Sequence, residues 1–265
     1  MSELYNIACL VEYDGSNFYG FQTQPDVPTI QHELELALSK FTNQPINVIT
    51  AGRTDTGVHA SGQVINFTTS AKRDINGFPR ALNALLPKSI SIKKTAYVAP
   101  DFHARFNALS RTYHYYLLNL PTRPAILHTK VGWYPHKLNL DLMQQACATL
   151  VGTHDFSSFR ASDCQAKNPY RNMLISAVKE LDYVKNIFEF KFTANAFLYH
   201  MVRNIIGSLI YVGSGKLSLD EFGNLLQQKN RVYAPPTFMP DGLYLTDVDY
   251  GYEVFAPDNL RFALT

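Results

Sequence analysis

The spacing of apolar positions changes several times along the chain, and each change marks an element. Residues 5–13 (YNIACLVEY) are apolar and β-prone and read as a strand. Asp14-Gly15 opens a turn, and SNFYGFQTQP follows as an aromatic-rich loop. Ile30, Leu34, Ala37, Leu38 and Phe41 then recur at helical spacing behind Thr29, a residue type suited to an N-cap. Residues 46–50 read as a strand, 51–62 (AGRTDTGVHASG) as a glycine-punctuated loop, and 63–69 as a second strand. A helix over 78–86 stops before Pro87, and a strand covers 91–98.

The second half repeats that order. It holds a Tyr-rich strand at 112–119, a short strand near 131–134, and a helix over 140–151 stopped by Gly152. A long loop covers 152–172, followed by strands 174–184 and 187–193 turned at Lys185-Asn186. An apolar helix over 196–212, a helix over 219–228 and a strand over 243–250 close the chain. Two copies of β-α-β-β-α-β imply an α+β fold of two ferredoxin-like, RRM-like halves, 1–106 and 107–265. Their antiparallel sheets are expected to join edge to edge, with helices over one face and a central cleft between the halves. Such sheets serve as RNA platforms elsewhere.

Composition agrees with a packed fold: 46% of the 265 residues are apolar, while 17% are charged and 13% aromatic, which excludes a disordered chain. The net charge of +2 says little, but its distribution says more. From Arg53 to Lys130 there are 11 Lys or Arg against three acids, so that segment carries +8 and the remainder −6. After Val232 there are five acids and one base. One face built for a polyanion is the functional reading; a solvated surface is the plain one. Cys9, Cys147 and Cys164 match no metal spacing, and an odd, small count fits reduced thiols. With no basic leader and no segment of membrane-spanning length, the expectation is a soluble, cytoplasmic protein.

The loop 51–62 holds the chemistry. Gly52, Gly57 and Gly62 permit unusual backbone angles around Arg53, Asp55 and His59. A carboxylate on a loop held between strands is a common active-site device, although an Asp there can also simply make an Asx turn. Metal sites and glycosidase pairs both need more carboxylates than this loop offers. His59 and Ser61 stand too close to Asp55 for a relay, and no G-x-S-x-G motif occurs. A lone Asp beside an Arg fits a nucleophile or an electrostatic stabiliser. Tyr113 and Tyr115 share one face of their strand, as core packing or as a stacking surface. Arg203 lies inside an apolar helix, where it needs a buried carboxylate such as Asp55 or must reach the surface.

GRTDTGVHA followed by GQVINF resembles the active-site signature of the tRNA pseudouridine synthase A family. LVEYDGSNFYGFQTQP, DFHARFNALSRTYHYYL, DFSSFRASDCQ, ANAFLYHMVRNIIGSL and GLYLTDVDY resemble further blocks of the same family, in order and over nearly the whole chain. One departure is Thr56, where the family usually has Ala after the catalytic Asp. The resemblance implies a pseudouridine synthase fold and an enzyme that isomerises uridine to pseudouridine at positions 38, 39 and 40 of the tRNA anticodon stem-loop. It implies that Asp55 is the catalytic aspartate and that Tyr113 packs on the flipped base. Arg53 would help flip the nucleotide and fill its place, and Arg203 would pair with Asp55. It further implies a homodimer using no cofactor and no metal. Arg105, Arg111, Lys93 and Lys94 are candidates for gripping the RNA backbone, with Arg160, Lys167 and Arg171 of the long loop as further basic positions. The alternative class is a non-catalytic RNA-binding protein on a duplicated sheet.

Overall fold

The computed structural model describes residues 3–256 except 163 and 183. Positions 1–2 and 257–265 of the two predicted halves, position 163 of the predicted loop and position 183 of a predicted strand lie outside it. The first half runs β1 (Tyr5–Tyr13), α1 (Ile30–Thr42), β2 (Ile49–Thr50), β3 (His59–Thr69), α2 (Phe78–Asn83) and β4 (Ile90–Val98). The second runs β5 (Ser110–Leu118), β6 (Gly132–Trp133), α3 (Leu140–Ala148), β7 (Gly152–Asp155), β8 (Tyr170–Glu180) and β9 (Ile187–Ala194). It finishes with α4 (Met201–Gly213), α5 (Leu219–Gln228) and β10 (Leu243–Asp249).

The ten strands among the described residues form one sheet, in the order β4-β1-β3-β10-β5-β9-β8-β7, with β2 beside β3 and β6 beside β5. Each half keeps the split β-α-β order, its last strand lying next to its first. The halves meet where β10 pairs with β3, Tyr244 opposite His59 and Leu245 opposite Ala60. That pairing is parallel, so the joined sheet is mixed and not wholly antiparallel. α2 packs on β4, and α3 packs on β8 and α4. The main hydrophobic core runs through both halves, from Ile7 and Phe67 to Phe190 and Leu245, and a small second cluster gathers Leu118, Val131, Leu181 and Ile187.

Local chemistry explains where the elements begin. Thr29 is the N-cap of α1 by backbone, but its hydroxyl makes no capping bond. The first helical amides instead donate to the loop before them, Ile30 N to Gly20 O at 3.2 Å and Gln31 N to Phe21 O at 2.9 Å. Pairing with β10 draws β3 back to His59, four residues before the patterned start at 63. β2 shrinks to two residues. β7 forms inside the predicted loop by pairing with β8, Gly152 opposite Met173. α4 starts at Met201 and not at 196, because His200 takes the left-handed conformation at φ 59°. α5 carries a capping box, Ser218 with Glu221. Among the described residues no helix is long and apolar enough to cross a membrane.

Candidate active site

The loop 51–58 leaves β2, crosses the end of the sheet and enters β3. Its conformation is fixed from below. Gln63 Nε2 donates to Gly52 O at 2.7 Å and to the Tyr13 hydroxyl at 3.3 Å, while that hydroxyl bonds Thr54 Oγ1 at 2.8 Å. The aromatic loop after β1 supplies the rest: Phe21 N donates to Thr54 O at 3.0 Å, and Gly57 N donates to Phe18 O at 3.3 Å. Asp55 O then accepts from Val58 N at 3.1 Å in a tight turn, for which Gly57 provides a φ of +78°. Thr54 thus points down and is buried, whereas Arg53 and Thr56 stand exposed on either side of half-buried Asp55.

Arg203 and His200 reach Asp55 from α4 and its N-terminus. Arg203 Nη1 lies 3.2 Å from Asp55 Oδ2, and each side chain is only 15% exposed. His200 Nε2 lies 3.6 Å from the same oxygen. The guanidinium is oriented by a second bond, Nε to Phe238 O at 2.9 Å, and Phe238 N returns a bond to Arg203 O at 3.2 Å. The helical backbone of Arg203 and the strap before β10 therefore hold each other.

Tyr113 lies in β5 opposite Leu245 of β10, with its ring edge-on to Phe197 at 5.0 Å. A Cβ added at Gly52 would stand 3.7 Å from its hydroxyl, so the phenol ends beside the start of the Asp55 loop. Burial first, then the charges of Tyr13 and Asp55, push this phenol far above its ordinary value, against an opposing pull from Arg111. Tyr115, on the same face, is core: it is fully buried and donates to Met239 O at 3.1 Å.

Other polar residues of the sequence resolve into structural roles. His59 Nδ1 accepts from Gly15 N at 3.1 Å, and Nε2 faces Thr129 O at 2.7 Å and Asp241 O at 3.2 Å. A backbone donor at one nitrogen and carbonyls at the other fix a neutral ring with its proton on Nε2. Burial pulls its pKa below the ordinary 6.5. The Asp14 carboxylate, 3.1 Å from Nδ1, is held by Lys130 and Ser16. Burial opposes that charge, but those partners outweigh it and hold the pKa down at about 2. Arg111 is buried with its guanidinium on backbone carbonyls, which removes it from the phosphate-gripping candidates. Lys93 is paired with Glu12 at 3.0 Å, and Arg171 donates to the Asn168 and Tyr170 carbonyls. Among the described residues no group of three His, Cys, Asp or Glu is placed to hold a metal ion.

A largely buried carboxylate–guanidinium pair joins the two halves beside a buried tyrosine. A family profile described as tRNA pseudouridine synthase matches residues 9–107 and 146–251. The chain belongs to the tRNA pseudouridine synthase A family. It is 48% identical over 253 residues to the tRNA pseudouridine synthase A of Neisseria meningitidis serogroup C (strain 053442), covering 94% of each chain. The enzyme of that name from Chromobacterium violaceum is 48% identical over 258 residues, 97% of each chain. That from Nitrosomonas eutropha is 46% identical over 261 residues, covering 96% of this chain and 93% of the other. This is a family of isomerases.

Two members of the site were not among the sequence candidates. His200 reads as one more position on an apolar helix until its left-handed backbone turns it toward Asp55. Phe238 acts through its carbonyl, which no side-chain pattern reveals. In a tRNA pseudouridine synthase A fold built this way, the carboxylate comes from one half and its cation from the other.

Proposed function

We propose that this tRNA pseudouridine synthase isomerises uridine at positions 38, 39 and 40 of the tRNA anticodon stem-loop, with Asp55 as its reacting carboxylate. The reaction breaks the C1′–N1 bond, turns the uracil, and joins C1′ to C5. The C5 proton leaves and N1 gains one, so nothing is added overall. The target cannot turn inside a stacked stem and must first be flipped out, at a cost of about a few kcal/mol. Arg53, exposed two residues before Asp55, fills the vacated place, and the Tyr113 ring packs against the extruded base. Asp55 attacks the sugar or the uracil ring, or takes a sugar proton, while Arg203 pairs with it. We further read the enzyme as a homodimer, acting in the cytoplasm without cofactor or metal.

The Asp55–Arg203 contact at 3.2 Å carries this reading. A pair so nearly buried costs desolvation, and a reactive carboxylate gives it a reason to exist. Tritium release from tRNA labelled at uracil C5 tests it. Wild type should release tritium, Asp55→Asn should release none above background, and Arg203→Met should lose at least about tenfold. Wild type that binds tRNA without releasing tritium would return the chain to the class of non-catalytic RNA-binding proteins. Full turnover by Arg203→Met would remove the ion pair from the mechanism.

A further inference from the structure

The segment between β4 and β5, which Arg111 ties to the start of the Asp55 loop, exposes an aromatic ring. Phe106 is 74% exposed. Its ring is stacked on His103, with centroids 4.2 Å apart and planes at 28°, and the Arg105 guanidinium lies 5.6 Å from its centroid. The segment is closed by its own hydrogen bonds. His103 N donates to Asn107 Oδ1 at 2.6 Å, Asn107 N donates to His103 O at 3.0 Å, and the Arg105 and Phe106 amides both donate to His103 Nδ1 at 3.2 Å. The imidazole that backs the phenyl ring is therefore locked by the turn it supports.

Arg111 ties that turn to the site. Its Nε and Nη2 donate to Ala51 O at 3.2 and 2.9 Å, and Nη2 also donates to Arg105 O at 2.6 Å. Nη1 donates to Ala108 O and Asn195 O, each at 3.0 Å. All five guanidinium N–H groups are thus used on carbonyls. Ala51 opens the Asp55 loop, and Arg111 stands two residues before Tyr113 on the same face of β5, about 7 Å along the strand. The exposed ring is held at a fixed place relative to both.

We propose that Phe106, backed by His103 and flanked by Arg105, is a stacking subsite for a base of the tRNA neighbouring the flipped uridine. The inference rests on the function proposed above. Flipping a nucleotide strips its neighbours of a stacking partner, and an exposed aromatic ring replaces that partner for any base, since every base has a π-face. Arg105 adds a cation where a phosphate would pass, within a segment carrying +8.

Filter binding of full-length tRNA and tritium release, with Phe106→Ala, Phe106→Leu and Phe106→Trp, test the subsite. The ring is mostly exposed, so none of these changes endangers folding, and an unchanged thermal midpoint checks that. Ala and Leu should each weaken tRNA binding about tenfold or more, and Trp should restore it to within about threefold. Leu binding as well as wild type would overturn the proposal, because apolar bulk without a π-face would then suffice; so would unchanged binding by Ala. Wild type that releases no tritium, with binding that still depends on the ring, would overturn the proposed reaction and leave the subsite standing.

Discussion

Asp55 and Arg203 could be matched in the sequence because an arginine inside an apolar helix demands an acid, and the glycine loop offered one. His59 shows where a sequence gives less. In the sequence it stands too close to Asp55 for a relay and has no assigned role; in the fold it is a buried neutral ring that fastens the 14–15 turn to the 129 and 241 carbonyls. Its lowered pKa has a consequence for stability. The unfolded histidine takes up a proton near its ordinary 6.5, whereas the native one resists it. Stability is therefore full above about pH 6.5 and declines as pH falls below it. His114, also lowered by burial, adds to the same window. Asp14, held at about 2 against an ordinary 3.8, contributes above that ordinary value and is lost as pH falls toward 2. A thermal midpoint measured against pH should thus fall in two windows, one opening as pH drops below about 6.5 and a second below about pH 4. His59→Gln should reduce the first decline and leave the second. A midpoint that stays flat as pH drops below about 6.5 would mean that native His59 takes up a proton as readily as the unfolded residue.

At the level of elements, periodicity located the long helices and strands but not their ends, because the ends are set by partners distant in sequence. β3 reaches back to His59 only because β10 lies beside it, and β7 exists only because β8 offers an edge. Residues 196–200, patterned as helix, are turned aside by the left-handed His200. The same kind of distant support orients Arg203. Asn204, next along α4, accepts from Thr237 Oγ1 at 2.6 Å and from Arg231 Nη2 at 3.2 Å, fastening the strap that carries Phe238 O. Gly207, one turn further, lets that strap lie against the helix: a Cβ there would come within 2.2 Å of Pro236 O. Gly207→Ala should gain helix propensity yet lose about 1–3 kcal/mol, because the strap must move. Moving it takes the Phe238 carbonyl from Arg203, so tritium release should fall by more than the loss of folded protein explains. Urea titration and turnover on the same preparation check both parts. A Gly207→Ala variant as stable and as active as wild type would show that the strap position does not matter to the ion pair.

For the whole molecule, the duplicated β-α-β-β-α-β order was legible because each half repeats its own pattern, whereas the joint between the halves was not. It is a short parallel contact, Tyr244 with His59 and Leu245 with Ala60, and no local pattern announces a parallel pair. We propose that 1–106 and 107–265 are separate halves in topology but one unit in folding. The core is continuous across the joint, and β10, the last strand among the described residues, covers the edge of β3 at His59 and Ala60. Residues 1–106 alone would keep β2 on Ile65 and Asn66 but leave the His59–Ala60 stretch of that edge unpaired, and would lose Leu245 and Tyr113 from the core. The joint also sets the active site, since the Asp55 loop runs directly into β3 while Arg203 belongs to the other half. Gly62 is its sensitive point: a Cβ would fall 2.0 Å from Thr246 O, on the backbone of β10. Backbone cannot yield as a side-chain tip can, so Gly62→Ala must part β3 from β10. The expected result is a loss of about 1–3 kcal/mol in a single unfolding transition, with turnover reduced in the fraction that remains folded. Two separated transitions would mean that each half folds on its own and that β10 merely docks them. Unchanged turnover in folded Gly62→Ala would mean that Asp55 and Arg203 find each other without the strand pair that now sets their distance.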